Sequence, residues 1–325
     1  MNRKSESTLN GSASFPNFSG MTRPLPVLIN RGGGTAARLG DGLRDAVEAA
    51  FAAAGREIAL ELVDGSDMPE ALSRHAGAPV IVVGGGDGTL GCAAAALAHS
   101  PTALAILPLG TRNHLARQLG VPLDLPGAAR LCVSGQRRRI DLGKAGARVF
   151  VNNASFGIYA RFVRHRDAQD APKWLSSIPA AWHALRQMRA QHFALRLDGQ
   201  PSRITSPLLF VGNNEYSMEA GSMGERESLA DGRLSLYAVA AQSPLRLAGF
   251  AVRALIGLAR PDRDFEELTE AREIVIEGSG FIQGAFDGEL ETLPLPLRLR
   301  SMPGALGVVT SRETAEAERK LYAAH

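Results

Sequence analysis

The sequence predicts an α/β plus β fold, in which an N-terminal doubly wound α/β domain and a C-terminal antiparallel β-sandwich domain enclose a cleft. Two observations lead to this prediction. In the first part of the chain, short apolar runs alternate with alanine-rich stretches, which is typical of parallel strands joined by helices. Beyond residue 136, short apolar runs follow one another and most are bounded by Gly, Asn, Asp or Pro, which is typical of antiparallel strands.

Composition places the chain among ordinary globular proteins. It has 325 residues, of which 45% are hydrophobic and 21% charged, so it is long enough for two domains with their own cores. No apolar run approaches the roughly 18 residues of a membrane span. Residues 1–22 are rich in polar residues and Gly and lack the apolar segment of a signal peptide, so we expect a disordered leader and no export. The two cysteines lack metal-ligand spacing and are expected to be reduced.

The formal net charge of +3 permits attraction to anionic lipid headgroups, and the sequence contains no nucleic-acid-binding motif.

The first predicted strand is Leu25–Asn30, and it runs into the Gly-rich stretch Arg31–Thr35. A helix over Asp41–Ala54 and a strand over Ile58–Val63 follow. A second Gly-rich turn occurs further along the chain, after another strand. Because the carboxyl ends of parallel strands meet at one edge of an open sheet, we expect both turns to line the same crevice.

The second Gly-rich turn follows the β-branched run Val80–Val83 and precedes the helix-forming run Ala93–Ala98. Four of the five residues from Gly84 to Gly88 are glycines. Without Cβ atoms, a phosphate can approach the unpaired amides at the start of the helix. Asp87 would repel that phosphate unless it orients the loop, binds a cation or contacts a hydroxyl. The alternative is a tight turn with incidental glycines.

A fourth strand, Ala103–Leu107, is followed by the polar segment Pro108–Ala116. Within this segment, Thr111 and Asn113 carry groups suited to bonding a triphosphate or to capping the next helix.

The second half is predicted to be rich in strands. The basic triplet Arg137–Arg139 is interpreted as a solvated linker, and helices are predicted over Lys173–Ala190 and Pro244–Leu258. The predicted strands are Arg139–Leu142, Val149–Asn153, Phe193–Leu197, Pro207–Gly212, Leu234–Ala240, Ile274–Glu277 and Leu295–Leu299.

The segment Gly85–Thr89 is similar to the nucleotide-binding loop of the diacylglycerol kinase catalytic domain, which sphingosine and ceramide kinases share and which NAD kinases and 6-phosphofructokinases resemble more distantly. The segment Pro108–Asn113 resembles the Pro-x-Gly-Thr-x-Asn element of that family, and Asn30 with Gly32–Gly34 resembles its Asn-Pro-x-Ser-Gly opening. The resemblance implies ATP and Mg²⁺ as cofactors. The ATP-binding residues that it implies are Asn30, Gly32, Gly33, Gly34, Gly85, Gly86, Asp87, Gly88, Thr89, Thr111 and Asn113.

The segment Gln283–Glu289 resembles the Asp-Gly-Glu catalytic segment of the same family. A hydroxyl acceptor needs a carboxylate to take its proton during phosphoryl transfer. We assign Asp287 as that general base and Glu289 as its partner in metal binding or positioning, although the two assignments are interchangeable. In isolation, an Asp-Gly-Glu tripeptide is usually a turn.

A structural Mg²⁺ site is implied by the resemblance of Leu229–Leu234 to the Asp-Gly element of some bacterial members. The Asp231 carboxylate would be one ligand, and the carbonyl oxygens of Ser228 and Arg233 would be others, since Mg²⁺ prefers oxygen donors. A plain Asp-Gly hairpin turn is the alternative.

The resemblance implies an ATP-dependent kinase that phosphorylates a lipid hydroxyl, with diacylglycerol and a ceramide or sphingoid lipid as the candidates. An NAD kinase-like phosphotransferase and a non-catalytic nucleotide-binding regulator are the alternatives.

We expect a cytoplasmic protein held peripherally at the inner face of the membrane by anionic lipid. The segments Lys173–Trp182 and Leu245–Phe250 are the expected contact surfaces with the membrane. A homodimer is left open. The expected domains are an ATP-binding domain over residues 23–136, a lipid-substrate domain over 137–300, and a segment over 301–325 that returns to the first domain.

Overall fold

A computed structural model describes residues 23–157, 191–215, 226, 228–239, 265–311 and 314. The leader, the two helices predicted in the second half and the two predicted membrane-contact surfaces lie outside these residues. In the described part, no helix is long and apolar enough to cross a membrane.

The first half alternates strands and helices, as the sequence predicts. Its elements are β1 (Leu25–Asn30), α1 (Gly34–Leu39), α2 (Leu43–Ala53), β2 (Ile58–Val63), α3 (Met68–Arg74), β3 (Val80–Gly85), α4 (Asp87–Ala96), β4 (Ala103–Pro108), α5 (His114–Gln118) and α6 (Leu125–Ser134). The four strands are parallel in the order β2-β1-β3-β4. β1, β3 and β4 are almost entirely buried, which is why their sequences are continuous apolar runs. Helix α2 packs on α6, and α3 packs on α4.

The second half consists of strands. They are β5 (Gln136–Ala145), β6 (Arg148–Phe150), β7 (Asn153–Gly157), β8 (Gln191–Leu197), β9 (Gln200–Ser206), β10 (Leu208–Asn213), β11 (Leu234–Val239), β12 (Phe265–Ala271), β13 (Glu273–Ile276), β14 (Phe281–Phe286), β15 (Glu289–Pro294) and β16 (Leu297–Thr310). One sheet has the antiparallel order β12-β11-β10-β7-β14-β15. Its inner face packs on β8, β13 and the first part of β16 through side chains such as Phe156, Phe286, Leu195 and Leu299. The predicted β-sandwich is therefore confirmed.

The long strand β16 joins the two halves. Its first part pairs with β13, its last part runs parallel to β4, and β5 pairs with it along most of its length. A single ten-stranded sheet therefore continues from the α/β half into the sandwich.

Several sequence-based interpretations differ from the structure. The elements that were not predicted are α1, α3, α6, β9, β12, β14 and β15. The triplet Arg137–Arg139 is not a solvated linker, because it lies inside β5, where Arg139 donates hydrogen bonds to the carbonyl oxygens of Gly304 and Ser100. The predicted strand Val149–Asn153 is two strands, β6 and β7, which belong to different sheets and are separated by a turn.

Candidate active site

Three loops meet at the carboxyl edge of the parallel sheet. They follow β1, β3 and β4, and they contain the Gly32–Gly34, Gly85–Thr89 and Pro108–Asn113 segments. The chain reverses its direction across the sheet between β1 and β3, since β2 lies on one side of β1 and β3 lies on the other. Ligands of open α/β sheets bind in the crevice at such a point. The predicted phosphate-binding segments are thus brought to one place.

Close backbone contacts join these three loops. Thr35 N–H donates to the carbonyl oxygen of Leu109 over 2.8 Å. Gly34 has a left-handed φ of 48°, and a Cβ at this residue would stand 2.6 Å from that same oxygen. A Cβ on Gly110 would overlap Gly86 Cα. Glycine is required at these two positions because backbone from a second loop occupies the space of a side chain.

The N-terminus of α4 lies at this crevice, because α4 begins directly after the carboxyl end of β3. Gly86 is its N-cap residue and makes no side-chain cap, so the first amides of the helix are left for another acceptor. The helix dipole adds partial positive charge at the same end. The geometry leaves this end of α4 open to an anionic phosphate, and binding of a phosphate there stays a prediction.

Asn30, Thr89 and Asp87 fix the loops around that helix end. The Asn30 amide donates to Thr89 Oγ1 over 2.9 Å and accepts from Gly32 N–H over 3.0 Å. Asp87 Oδ1 accepts from the Leu115 N–H of α5 over 3.4 Å. Asp87 was considered for orienting the loop, binding a cation or contacting a hydroxyl. This hydrogen bond provides the first of these roles.

Asn113 shapes its own loop. Its φ of 52° is left-handed, its Oδ1 accepts from Gly110 N–H over 3.0 Å, and its Nδ2 donates to the carbonyl oxygen of Gly110 over 2.9 Å. It provides no side-chain cap to α5, so the capping role suggested for it is wrong. Thr111 is exposed at the edge of the crevice. Binding of a triphosphate by these two residues stays a prediction.

The Asp-Gly-Glu segment forms the hairpin between β14 and β15. Phe286 pairs with Glu289, so Asp287 and Gly288 are its two-residue turn, with positive φ of 49° and 91°. The Asp287 carboxylate accepts backbone N–H groups from Val151, Asn152 and Asn153 over 2.7, 2.7 and 3.1 Å. These amides form the turn between β6 and β7, and the hairpin is thereby fixed to that turn.

The ionisation of Asp287 is set by opposing effects. Burial raises the pKa of its carboxyl group, whereas the hydrogen bonds from Val151, Asn152 and Asn153 and the charge of Arg226 lower it in part, leaving it above its ordinary value. Arg226 is itself buried and donates to the Val151 carbonyl oxygen over 2.9 Å and to Gln118 Oε1 over 2.5 Å. It therefore connects α5 with the same turn.

Glu289 lies against the Gly85–Thr89 loop. Its Oε2 accepts from Arg148 Nη2 over 2.5 Å, and its Oε1 lies 2.8 Å from the point where a Cβ of Gly88 would stand. Asp287 Oδ2 lies 3.9 Å from the equivalent point of Gly91, further along α4. The fold thus brings two acids of the second half to the first turns of α4, about 200 residues earlier in the chain.

The Asp231 loop lies beside a second, buried carboxylate, Asp141. Asp141 Oδ2 accepts from Gly232 N–H over 2.6 Å and its Oδ1 from Gly304 N–H over 2.7 Å. Burial raises the pKa of Asp141, the two N–H groups lower it in part, and the charge of Asp231 raises it further. Because Gly232 directly follows Asp231, its hydrogen bond to Asp141 brings the Asp231 loop against the Asp141 carboxylate.

The oxygen donors around this loop suit Mg²⁺. The buried Asn213 Oδ1 has no hydrogen-bond donor among the described residues, and it is an oxygen of the kind that this ion prefers. The Arg233 carbonyl oxygen already accepts from Asn214 N–H over 3.0 Å, although a carbonyl oxygen has a second lone pair. Within the described residues, no group of three or more His, Cys, Asp or Glu side chains forms a metal site. A Mg²⁺ ion here would therefore depend on carbonyl oxygens beside Asp231, and this site stays a prediction.

Family models match both halves of the chain. Residues 24–145 match the diacylglycerol kinase catalytic domain, and residues 152–310 match the C-terminal NAD kinase beta sandwich-like domain of YegS. The chain therefore contains a region that matches the diacylglycerol kinase catalytic domain, followed by a region that matches the YegS C-terminal domain. The resemblance seen in the sequence motifs is thereby confirmed.

Relatives of this kinase family align with part of the chain. A Pseudomonas aeruginosa protein named "probable lipid kinase YegS-like" is 39% identical over 46% of this chain and 51% of its own length. A Staphylococcus aureus diacylglycerol kinase is 27% identical over 56% of this chain and 59% of its own length. The chain thus spans between half and three fifths of the length of these relatives. A crystal structure of a diacylglycerol kinase from Bacillus anthracis has a TM-score of 0.64 at 22% identity, covering 90% of this chain and 98% of that one, which supports the fold.

Three charged residues of the site were missed by the sequence analysis: Asp141, Arg148 and Arg226. No local pattern marks them, because each acts on a partner distant in the chain. Arg148, for example, pairs with Glu289 across 141 residues. Arg148 thereby adds a cation beside the Asp-Gly-Glu hairpin.

Proposed function

We propose that this protein is an ATP- and Mg²⁺-dependent lipid kinase that transfers the γ-phosphoryl group to the hydroxyl of a membrane lipid, either diacylglycerol or a ceramide or sphingoid lipid. One observation carries the proposal: the Asp287–Glu289 hairpin lies against the first turns of α4, beside the Gly85–Thr89 loop. A phosphate-binding end and a carboxylate are the two parts that phosphoryl transfer to an alcohol requires.

In the proposed reaction, the amides of the Gly-rich loop and of the first turn of α4 hold the phosphates. The lipid hydroxyl oxygen forms a bond to the γ-phosphorus, the bond from that phosphorus to the leaving ADP oxygen breaks, and the hydroxyl proton moves to a carboxylate. Mg²⁺ bound to the triphosphate supplies charge that offsets the phosphate oxygens.

We assign the proton-accepting carboxylate to Glu289, which reverses the assignment favoured by the sequence. A carboxylate has about four lone-pair positions, and three of those on Asp287 accept backbone N–H groups. Glu289 is exposed at the cleft, so a substrate hydroxyl can reach it. Asp287 then holds the hairpin in place, and its contribution to turnover is indirect.

The lipid would be reached from the membrane surface, since no helix of the described part can cross a membrane. The net charge of +3 supports a peripheral association with anionic lipid at the inner face of the membrane. We propose this location together with the activity.

The activity is tested with the purified full chain, labelled ATP, Mg²⁺ and vesicles that contain diacylglycerol, ceramide or sphingosine, with NAD as a separate acceptor. We expect label in one lipid and none in NAD. Label in NAD alone would replace the proposal by an NAD kinase-like activity. Failure to bind ATP, or ATP binding without transfer to any of these acceptors, would contradict the proposal and favour a regulator.

At the Asp231 loop, the Asp231 carboxylate and the carbonyl oxygens of Ser228 and Arg233 would hold a structural Mg²⁺. We expect Asp231→Asn to need more Mg²⁺ than the unchanged protein for the same rise in Tm, because binding to the native state alone stabilises it by mass action. Thermal unfolding over a Mg²⁺ series measures this, with Glu48→Gln as an exposed control. If the Mg²⁺ dependence of Tm is the same in both variants, the loop is a plain turn.

A further inference from the structure

Arg148 is a cation of the cleft that the proposed reaction does not yet use. It lies on β6, the short strand that leads into the sandwich, and its side chain is 35% exposed. Its Nη2 donates to Glu289 Oε2 over 2.5 Å, and its Nε lies 3.6 Å from Glu291 Oε2. That second distance is too long for a hydrogen bond. In the described part of the chain, the buried Nε has no hydrogen-bond partner.

The Arg148 guanidinium stands beside the phosphate-binding end of α4. It is bound to the carboxylate whose other oxygen lies over Gly88, and β6 packs directly on α4. The effects of nearby charges on the pKa of Cys92, a residue of α4, agree with this position of Arg148. Burial raises the pKa of that thiol, Glu289 raises it further, and Arg148 lowers it. Both charges therefore act near the middle of this helix.

The chemistry of the group suits a phosphate. A guanidinium presents five N–H donors in a planar fork that matches the oxygens of a phosphate, and it stays charged at any physiological pH. Glu289 and the more distant Glu291 each offer this fork a single negative charge. A triphosphate at the N-terminus of α4 would bring a larger negative charge to the same cation, and its oxygens would also supply an acceptor for Nε.

We propose that Arg148 binds the γ-phosphate of ATP, exchanging its contact with Glu289 for contacts with phosphate oxygens. This inference rests on the proposed function, since it requires ATP at the Gly-rich loop. The exchange does two things at once. It places a fixed cation on the group that is transferred, and it releases the Glu289 carboxylate from its partner so that it can accept the proton of the lipid hydroxyl.

The test is equilibrium binding of ADP and of a non-hydrolysable ATP analogue, with Mg²⁺, to the full chain and to Arg148→Met. We expect the variant to bind the ATP analogue about tenfold or more weakly and ADP within about twofold, because only the γ-phosphate loses a contact. Arg148→Lys keeps the charge without the fork, and we expect it to recover part of the lost affinity. Arg196→Met, which breaks the exposed ion pair with Glu277, is the matched control and should change neither affinity.

Several outcomes would overturn the inference. Equal losses for ADP and the ATP analogue would show that Arg148 only supports the structure of the cleft, and unchanged affinities would show that it does not touch the nucleotide. If Arg148→Met does not fold, Arg148→Lys decides, since full affinity for the analogue or an equal loss for ADP contradicts a bidentate γ-phosphate contact. Failure of the unchanged protein to bind either nucleotide would contradict the proposed function itself.

Discussion

Glu289→Gln is expected to lower turnover by about 10²- to 10⁴-fold, the usual contribution of a positioned general base. Gln has the size of Glu but does not accept the proton of the lipid hydroxyl. Because Glu289 is exposed, the variant should unfold at the same temperature as the unchanged protein and bind ADP with the same affinity. Initial rates on lipid vesicles, thermal unfolding and ADP binding measure the three quantities. Glu48→Gln, an exposed acid of α2, is the control and should retain most of the turnover.

Asp287→Asn separates the roles of the two acids. Its side-chain NH₂ group would face backbone N–H donors that now bond to a carboxylate, and each buried donor left unpaired costs about 1–3 kcal/mol. We therefore expect Asp287→Asn to lose stability as well as turnover, whereas Glu289→Gln loses turnover alone. Near-normal turnover in Glu289→Gln, together with a large loss in a folded Asp287→Asn, would return the role of base to Asp287.

Gly110→Ala is expected to abolish detectable kinase activity and to weaken ATP binding by about tenfold or more. The added methyl group would overlap Gly86 Cα and stand 2.8 Å from Asn113 Oδ1. Two phosphate-binding loops must then separate, and overpacking of this kind costs about 1–3 kcal/mol. ATP affinity and the free energy of unfolding measure both effects.

Gly42→Ala is the matched control for this substitution. Its φ is −77°, and a Cβ there would meet no atom within 4 Å. It should therefore be neutral or slightly stabilising. Wild-type ATP affinity in Gly110→Ala would show that the contact between the Gly86 and Gly110 backbones does not shape the site.

The meeting of the Gly-rich turns at one edge of the sheet could be predicted because its signals are local. A β-branched run, a cluster of glycines and a helix-forming run stand next to each other in the sequence, so Val80–Val83 and Gly84–Gly88 indicate strand, turn and helix without further information. The neighbouring loops follow strands of the same parallel sheet, and its topology brings them to one edge.

The details of the acid hairpin could not be predicted, because they depend on contacts between distant residues. The sequence gives no sign that Asp287 accepts amides from residues 151–153, more than 130 positions earlier. Nor does it show that β6 ends at Phe150, since the run Val149–Asn153 reads as one strand. In the structure, β6 and β7 belong to different sheets, and the turn after Phe150 connects them.

The last predicted strand, Leu295–Leu299, covers only the first part of β16, which continues to Thr310. Pro303 and Gly304 normally end a strand. Here the register shifts between Met302 and Leu306, Gly304 adopts a φ of 56°, and its N–H donates to Asp141. The irregularity is a bulge that lets one strand continue into the other half of the molecule.

This continuity has a consequence for the order in which the chain acquires its structure during synthesis. Leu306–Thr310 pair with Ile140–Gln136 and Gly307–Val308 run beside Ala103–Leu104, so the last strand made lies in the middle of the sheet. Until β16 has been synthesised, β4 and β5 expose unpaired edges. Such edges are prone to pair with other chains. A nascent chain released before residue 310 would therefore aggregate rather than leave a working α/β half behind.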